Sequence, residues 1–314
     1  MYNISTITAQ PLTVQTFNGT ELASRYIAYI DATPATVTTY ARAIKQFILY
    51  LQDNSITEPT RADILAYKQA LAESHKANTI SLYIVAVKAF FSWLEQEGLY
   101  PNIAEHIKGA KLDRGHKKEA LAASQAHDII AGIDTETPAG KRDYAIFTLL
   151  SVCGLRTIEA ERANIEDLHN TAAGTVLYVQ GKGHAEKGTP VKVPDGVARA
   201  IRSYLATRPQ AKPEEPLFTS TSNNSKGARM STRSIRGLVK EYMKAAGYNS
   251  DKLTAHSLRH TAVTLALLGG EGLQEAQSFA RHSNINTTLI YAHNIDISRN
   301  TCAETAYNAI FGNM

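Results

Sequence analysis

The chain has 314 residues, 44% of them apolar and 20% charged, a balance that supports packed cores and excludes wholesale disorder. A net charge of +4 permits a polyanionic partner without demanding one, and two cysteines, Cys153 and Cys302, are too few for a disulfide framework or a Cys-rich zinc site. The sequence "MYNISTITAQ" lacks the basic flank and apolar core of a signal peptide, and no apolar run approaches the roughly 18 residues of a membrane span, so the expectation is a cytoplasmic protein with no membrane partner.

Residues 1–19 are Thr-rich and polar and read as an N-terminal arm. Four helical segments follow between 20 and 108: one near 20–30, then "TPATVTTYARAIKQFILYLQDN", "TRADILAYKQALAES" and "ANTISLYIVAVKAFFSWLEQEG". In the second, Val37, Tyr40, Ala41, Ile44, Phe47, Ile48 and Leu51 form an apolar stripe of helical period. Thr60 and Asn78-Thr79 are placed as N-caps, and Gly98 closes the fourth helix. The charged, Gly-containing stretch 109–120, "GAKLDRGHKKEA", marks a linker. A second domain, 121–314, then shows helices near 124–132 and 140–153. Two strands, Val176–Gln180 and Val191–Val193, flank a Gly-rich tip with Lys182, His184 and Lys187, and helices resume to the end. The expected fold is mainly α with a small antiparallel β-sheet in the C-terminal domain.

Charge is distributed unevenly. Residues 1–112 hold nine basic and nine acidic side chains, so the whole positive excess lies beyond them. In "STRSIRGLVKEYMKAAG", Ile235, Leu238, Val239, Tyr242 and Ala246 share one helical face, while Arg233, Arg236, Lys240 and Lys244 share the opposite one. Arg229 extends the row, and between 226 and 244 six basic residues face a single acid, Glu241. Such a face is either solvated or set against a phosphate backbone, and the shortage of acidic partners favours phosphate.

Polar outliers stand in apolar surroundings along the second domain. Arg156 follows the apolar "FTLLSVCGL", where an unpaired guanidinium would be costly; Glu159, three residues on, could pair with it. "HSLRH" places His256, Arg259 and His260 at the start of an apolar helix, where backbone N–H groups already favour an anion. His282 in "ARHSN" and Tyr291 in "TTLIYAH" come next. Each has an ordinary structural explanation when taken alone.

Their order and spacing resemble the tyrosine recombinase (phage integrase) family. The resemblance rests on "GLR-x-x-E", a hairpin lysine, "H-x-L-R-H-T", a histidine 23 residues after that arginine and a tyrosine nine residues further, within "TT-x-x-Y-x-H". It extends to the first domain, whose helices look like the family's DNA-clamping core-binding domain. Two departures are visible: Ala280-Arg281 stands where Leu-Gly usually precedes the second histidine, and Gly188-Thr189 stands where the hairpin tip often carries another base. The first either changes how closely the backbone approaches the phosphate or adds Arg281 as a further DNA-facing charge, and the second leaves Lys182 as the general-acid candidate ahead of Lys187.

The resemblance implies a site-specific recombinase that cleaves and rejoins double-stranded DNA. Tyr291 would attack a phosphodiester to give a 3′-phosphotyrosine and a free 5′-hydroxyl, with no cofactor, metal or ATP. Arg156 and Arg259 would clamp the phosphate, His256 would assist as base, His282 would bond a non-bridging oxygen, and Lys182 would protonate the leaving oxygen. Glu159 would orient Arg156 or the neighbouring hairpin, and His260 would point away as a structural hydrogen-bonder. Lys187, Arg229, Arg233, Arg236, Lys240, Lys244 and Arg281 are the expected DNA contacts. Exchange between two duplexes implies a tetramer on DNA, with room for an accessory directionality factor. The tail presents Ala303, Ala306, Tyr307, Ile310 and Phe311 as an apolar face for a neighbouring protomer or for its own core. The rival readings are a zinc hydrolase, which would lack the glutamate of "HE-x-x-H" and leave both arginines unexplained, and a DNA-binding regulator without strand cleavage.

Overall fold

The computed structural model of the chain describes residues 17–111, 119–181, 186–299 and 302–312. These form two compact units, Met1–Gly115 and His116–Met314. The expected arm at 1–19 falls almost wholly outside the described residues, as do much of the linker and the hairpin residues Lys182 and His184.

The first unit consists of α1 (Gly19–Tyr29), α2 (Pro34–Asp53), α3 (Arg61–Ser74) and α4 (Ala77–Gln96). Helix α2 starts where Thr33 accepts the Thr36 N–H and Pro34 sets the first helical φ. Helix α3 starts where the Asp63 carboxylate accepts the Thr60 N–H at 2.8 Å and the Thr60 hydroxyl at 2.6 Å. The start of α4 differs from expectation: Lys76 occupies the cap, without a side-chain bond, and Asn78 and Thr79 lie inside the first turn. The chain leaves α4 at Gly98, whose φ of +66° suits glycine. Among the described residues α4 is the one helix long and apolar enough to cross a membrane by length and composition. Its burial accounts for that composition. Ile84, Ala86, Val87, Phe90, Phe91 and Leu94 are wholly enclosed and pack with Ile44 and Phe47 of α2 and Tyr67 of α3. Each large apolar side chain so enclosed contributes about 1.5–3 kcal/mol of transfer free energy.

The second unit runs α5 (Ala123–Ala131), α6 (Pro138–Val152), α7 (Thr157–Arg162), β1 (Leu168–Thr171), β2 (Gly174–Val179), β3 (Thr189–Val193), α8 (Asp195–Leu205), α9 (Thr232–Ala245), α10 (Ala255–Leu268), α11 (Leu273–Ala280), α12 (Asn286–Arg299) and α13 (Cys302–Phe311). The sheet is antiparallel in the order β1-β2-β3, with Leu177 opposite both Leu168 and Val191. Two strands were legible as alternating patterns, and Thr175, Leu177 and Val179 do face inward. Strand β1 was not, because "LHNT" is short and polar and lies at an edge where only Leu168 is partly covered. Helix α6 runs through the core, packed against α8 and α10, with Ile146, Phe147, Leu149 and Leu150 fully enclosed. Cys153 closes α6 as a buried small hydrophobe, and burial pushes its thiol up to about 12.

Candidate active site

The site forms where the end of α6, the start of α7, the first turn of α10 and the α11–α12 connection converge. Helix α6 stops at Gly154, whose φ of +58° turns the chain left-handed; a Cβ there would lie 3.1 Å from the Phe279 ring. The turn presents the Gly154 carbonyl to two guanidiniums, those of Arg259 and Arg281. Arg156 follows as the N-cap of α7, and Glu159 at its third position accepts the Arg156 N–H at 2.9 Å and Arg156 Nη1 at 2.8 Å.

Glu159 is completely buried and holds two arginines, since its other oxygen accepts from Arg281 Nη2 at 2.9 Å. Burial acts to raise its carboxyl pKa. The charge of Arg281 and the bonds from Arg156 and Arg281 outweigh that effect and hold the group below the usual carboxylate range. Arg156 Nη2 also donates to the Arg281 carbonyl at 2.9 Å. Arg259, 1% exposed, donates to the Gly154 and Ala280 carbonyls. Burial first, then Arg156 and Arg281, pull its pKa down to about 9, so it stays charged at neutral pH. Three guanidiniums thus surround one carboxylate, a local excess of two positive charges in a largely dry setting that suits a phosphate.

Beside them lie four rings in sequence. His256, exposed on the first turn of α10, meets His260 edge-on at 4.4 Å between centroids; His260 meets Tyr291 at 5.0 Å; Tyr291 stacks on His282 at 6.2 Å. The Tyr291 hydroxyl is hydrogen-bonded to His260 Nδ1. This corrects the sequence reading of His260 as a residue turned away from the chemistry. A position next to Arg259 on a helix predicts a different direction, but the lean of side chains toward the helix N-terminus, combined with the close crossing of α10 and α12, brings the ring to the tyrosine. Tyr291 is 4% exposed, and burial raises its pKa to about 12 against the pull of Arg259 and Arg156.

His282 Nδ1 lies 2.9 Å from the hydroxyl of Thr288, a fully buried residue that sequence reasoning passed over. Burial, then Arg259, Arg156, His256 and Arg281, lower the His282 pKa to about 4, so the ring is neutral at physiological pH. A neutral imidazole whose Nδ1 accepts from a hydroxyl carries its proton on Nε2. A neutral imidazole in that tautomer is a donor suited to a phosphate oxygen. Among the described residues, no group of three or more His, Cys, Asp or Glu is arranged to hold a metal ion.

A model of the phage integrase family matches residues 119–296, and one of the phage integrase N-terminal SAM-like domain matches residues 24–98. The chain belongs to the phage integrase family. Its similar proteins include the tyrosine recombinase XerC of Corynebacterium efficiens, 30% identical over 85% of this chain and 83% of that one. A tyrosine recombinase of Synechocystis is 29% identical over 83% and 87% respectively. The fold is that of the XerH site-specific recombinase bound to its palindromic difH substrate, with a TM-score of 0.70, 20% identity, and coverage of 92% of this chain and 84% of that one. It is also that of a lambda integrase dimer bound to a core site, with a TM-score of 0.67, 18% identity, and coverage of 87% and 97%. The protein is therefore an enzyme of the tyrosine recombinase type.

The recombinase places its other candidate residues unevenly. Arg281 is not an outward charge: its side chain is 12% exposed and folded onto Glu159, the Gly154 carbonyl and, at 2.8 Å, the Phe279 carbonyl. Lys187 pairs with Asp167 at 2.7 Å. Arg229 is committed to the Glu161 and Ala163 carbonyls and Asn164 Oδ1, and Lys240 to the Ser250 and Leu253 carbonyls. These hydrogen bonds brace loops around α7 and α9. Arg233, Arg236 and Lys244 stand exposed on α9, opposite buried Ile235, Val239 and Met243.

Proposed function

We propose that this recombinase binds double-stranded DNA and cleaves and rejoins its strands at specific sites through a 3′-phosphotyrosine on Tyr291, mobilising or resolving a DNA element. The observation that carries the reading is the gathering of Arg156, Arg259 and Arg281 about the single buried carboxylate of Glu159, beside one buried tyrosine. A pentavalent phosphate in transfer spreads negative charge over its equatorial oxygens, and prepositioned guanidiniums stabilise that charge without reorganising. Arg156 and Arg259 take those oxygens, and His282 Nε2–H takes one more. Glu159 is a positioning residue: it fixes Arg156 at the cap of α7. Lys182 protonates the leaving 5′-oxygen, and the exposed face of α9 rests against the phosphate backbone of the duplex.

Strand exchange between two duplexes needs several protomers on DNA. The helix α13 supports such an assembly: Tyr307, Ile310 and Phe311 are 63%, 67% and 47% exposed, so this face is not spent on the core of its own unit. An accessory directionality factor is compatible with this reading.

The test mixes purified protein with duplex DNA from the flanks of its own gene, in EDTA, and looks for an SDS-resistant protein–DNA adduct. Wild type is expected to form it, and Tyr291→Phe to form none. Binding of the same fragment without any wild-type adduct would assign the chain to non-cleaving DNA regulation instead.

A further inference from the structure

We infer that Arg281 is a positioning residue of the cleavage reaction, whose buried charge offsets that of Glu159 so that Arg156 and Arg259 direct theirs to the scissile phosphate. The inference rests on the reading of this cluster as the phosphate site. Glu159 is completely buried and accepts from Arg156 Nη1 at 2.8 Å and from Arg281 Nη2 at 2.9 Å. Without Arg281, the carboxylate would cancel one of the two remaining guanidinium charges. With it, the cluster keeps an excess of two, enough for the charge a phosphodiester already carries and for the charge that develops during transfer.

The backbone is arranged to the same end. Three consecutive carbonyls at the end of α11 each accept from one guanidinium: Phe279 from Arg281 Nη1 at 2.8 Å, Ala280 from Arg259 Nη2, and Arg281 from Arg156 Nη2 at 2.9 Å. The partial negative charge of a helix C-terminus favours cations there. Arg281 shares the Gly154 carbonyl with Arg259 and the Glu159 carboxylate with Arg156, so it is joined to both of the other arginines through a common acceptor. After burial and Arg156, its charge is a further cause of the lowered Arg259 pKa.

Bracing alone does not account for this side chain. A brace needs N–H donors, and a neutral amide supplies those without the cost of burying a charge. Arg281 bears that cost on a left-handed backbone at φ +53°, with its side chain 12% exposed. Its Nε–H is buried with no acceptor among the described residues, so hydrogen bonding does not use the whole guanidinium. What arginine adds over an amide at this position is charge.

The experiment measures the rate of covalent adduct formation at saturating protein, on a nicked duplex from the flanks of its own gene, for wild type, Arg281→Gln and Arg281→Lys. Both substitutions keep N–H donors on the same left-handed backbone, and only lysine keeps the charge. At an effective dielectric of about 20, a unit charge about 8 Å from the phosphate changes the rate of a step that develops one negative charge by about 30-fold. Arg281→Gln is therefore expected to lose about 30-fold in rate, and Arg281→Lys to stay within about fivefold of wild type. Equal losses in the two variants would assign Arg281 to bracing and overturn the inference. So would a full rate at saturation in Arg281→Gln, with any loss confined to DNA affinity. If the lysine variant does not fold, Glu159→Gln combined with Arg281→Gln decides. Removing both charges leaves the cluster at its wild-type excess, so the double variant is expected to recover about tenfold over Arg281→Gln; no recovery would overturn the inference. Wild type that binds the duplex and forms no adduct would sink the cleavage reading, and this inference with it.

Discussion

Arg281 holds a left-handed backbone, φ +53°, at the end of α11, a position where glycine is usual because a Cβ is disfavoured there. The residue keeps the backbone path that glycine would take and adds a guanidinium that ties Glu159 to the Gly154 turn. Two effects oppose each other at this one position. Left-handed strain costs about 1–2 kcal/mol, while breaking a buried ion pair by removing one partner costs about 3–5 kcal/mol, less where another cation remains. Arg156 does remain on Glu159, so Arg281→Gly is expected to lower unfolding stability by about 1–2 kcal/mol, measured by urea denaturation. A variant as stable as wild type or more so would show that relief of strain outweighs the clamp. The same residue shows a limit of sequence reading. That Arg281 departs from the family pattern was visible in the chain; that its side chain turns inward was not, because its acceptors lie about 120 residues away on the α6–α7 turn.

At the scale of the element, α9 separates its two faces cleanly. Its buried stripe and its basic row both follow from a 3.6-residue period, and for that reason both were legible in the sequence. The period alone does not say which lysines and arginines are already occupied. Lys240 reaches the loop after α9 and Arg229 the loop after α7, which leaves Arg233, Arg236 and Lys244 with the outward positions. Alanine at Arg233 or Arg236 is expected to weaken DNA binding alike on specific and unrelated duplexes and to reduce the slope of log K against log salt by about one for each phosphate left unneutralised. Gel-shift titrations across a range of salt measure this. A weakening confined to one DNA sequence would mean that the residue reads bases rather than the backbone.

For the whole molecule, the outstanding surface is the exposed face of α13. If it docks on a second copy, Ile310→Asp is expected to leave single-protomer binding within about twofold, because the substitution touches neither the basic helix nor the arginine cluster, while a charge in a packed apolar interface opposes assembly. Native gels and adduct yields on paired sites measure the two effects separately; unchanged assembly would place the interface elsewhere. The sequence by itself determined the two-part helical architecture and the order of the polar residues, because periodic apolar stripes and short motifs are local properties of a chain. The polar positions 156, 259, 282 and 291 could be picked out because each interrupts or caps an apolar segment. The short strand β1, the inward course of Arg281, the service of Thr288 to His282 and the bond of His260 to Tyr291 were decided only by the tertiary structure. Each depends on how segments 6 to more than 120 residues apart cross, and no period or spacing within one segment encodes the direction a side chain takes once another helix lies against it.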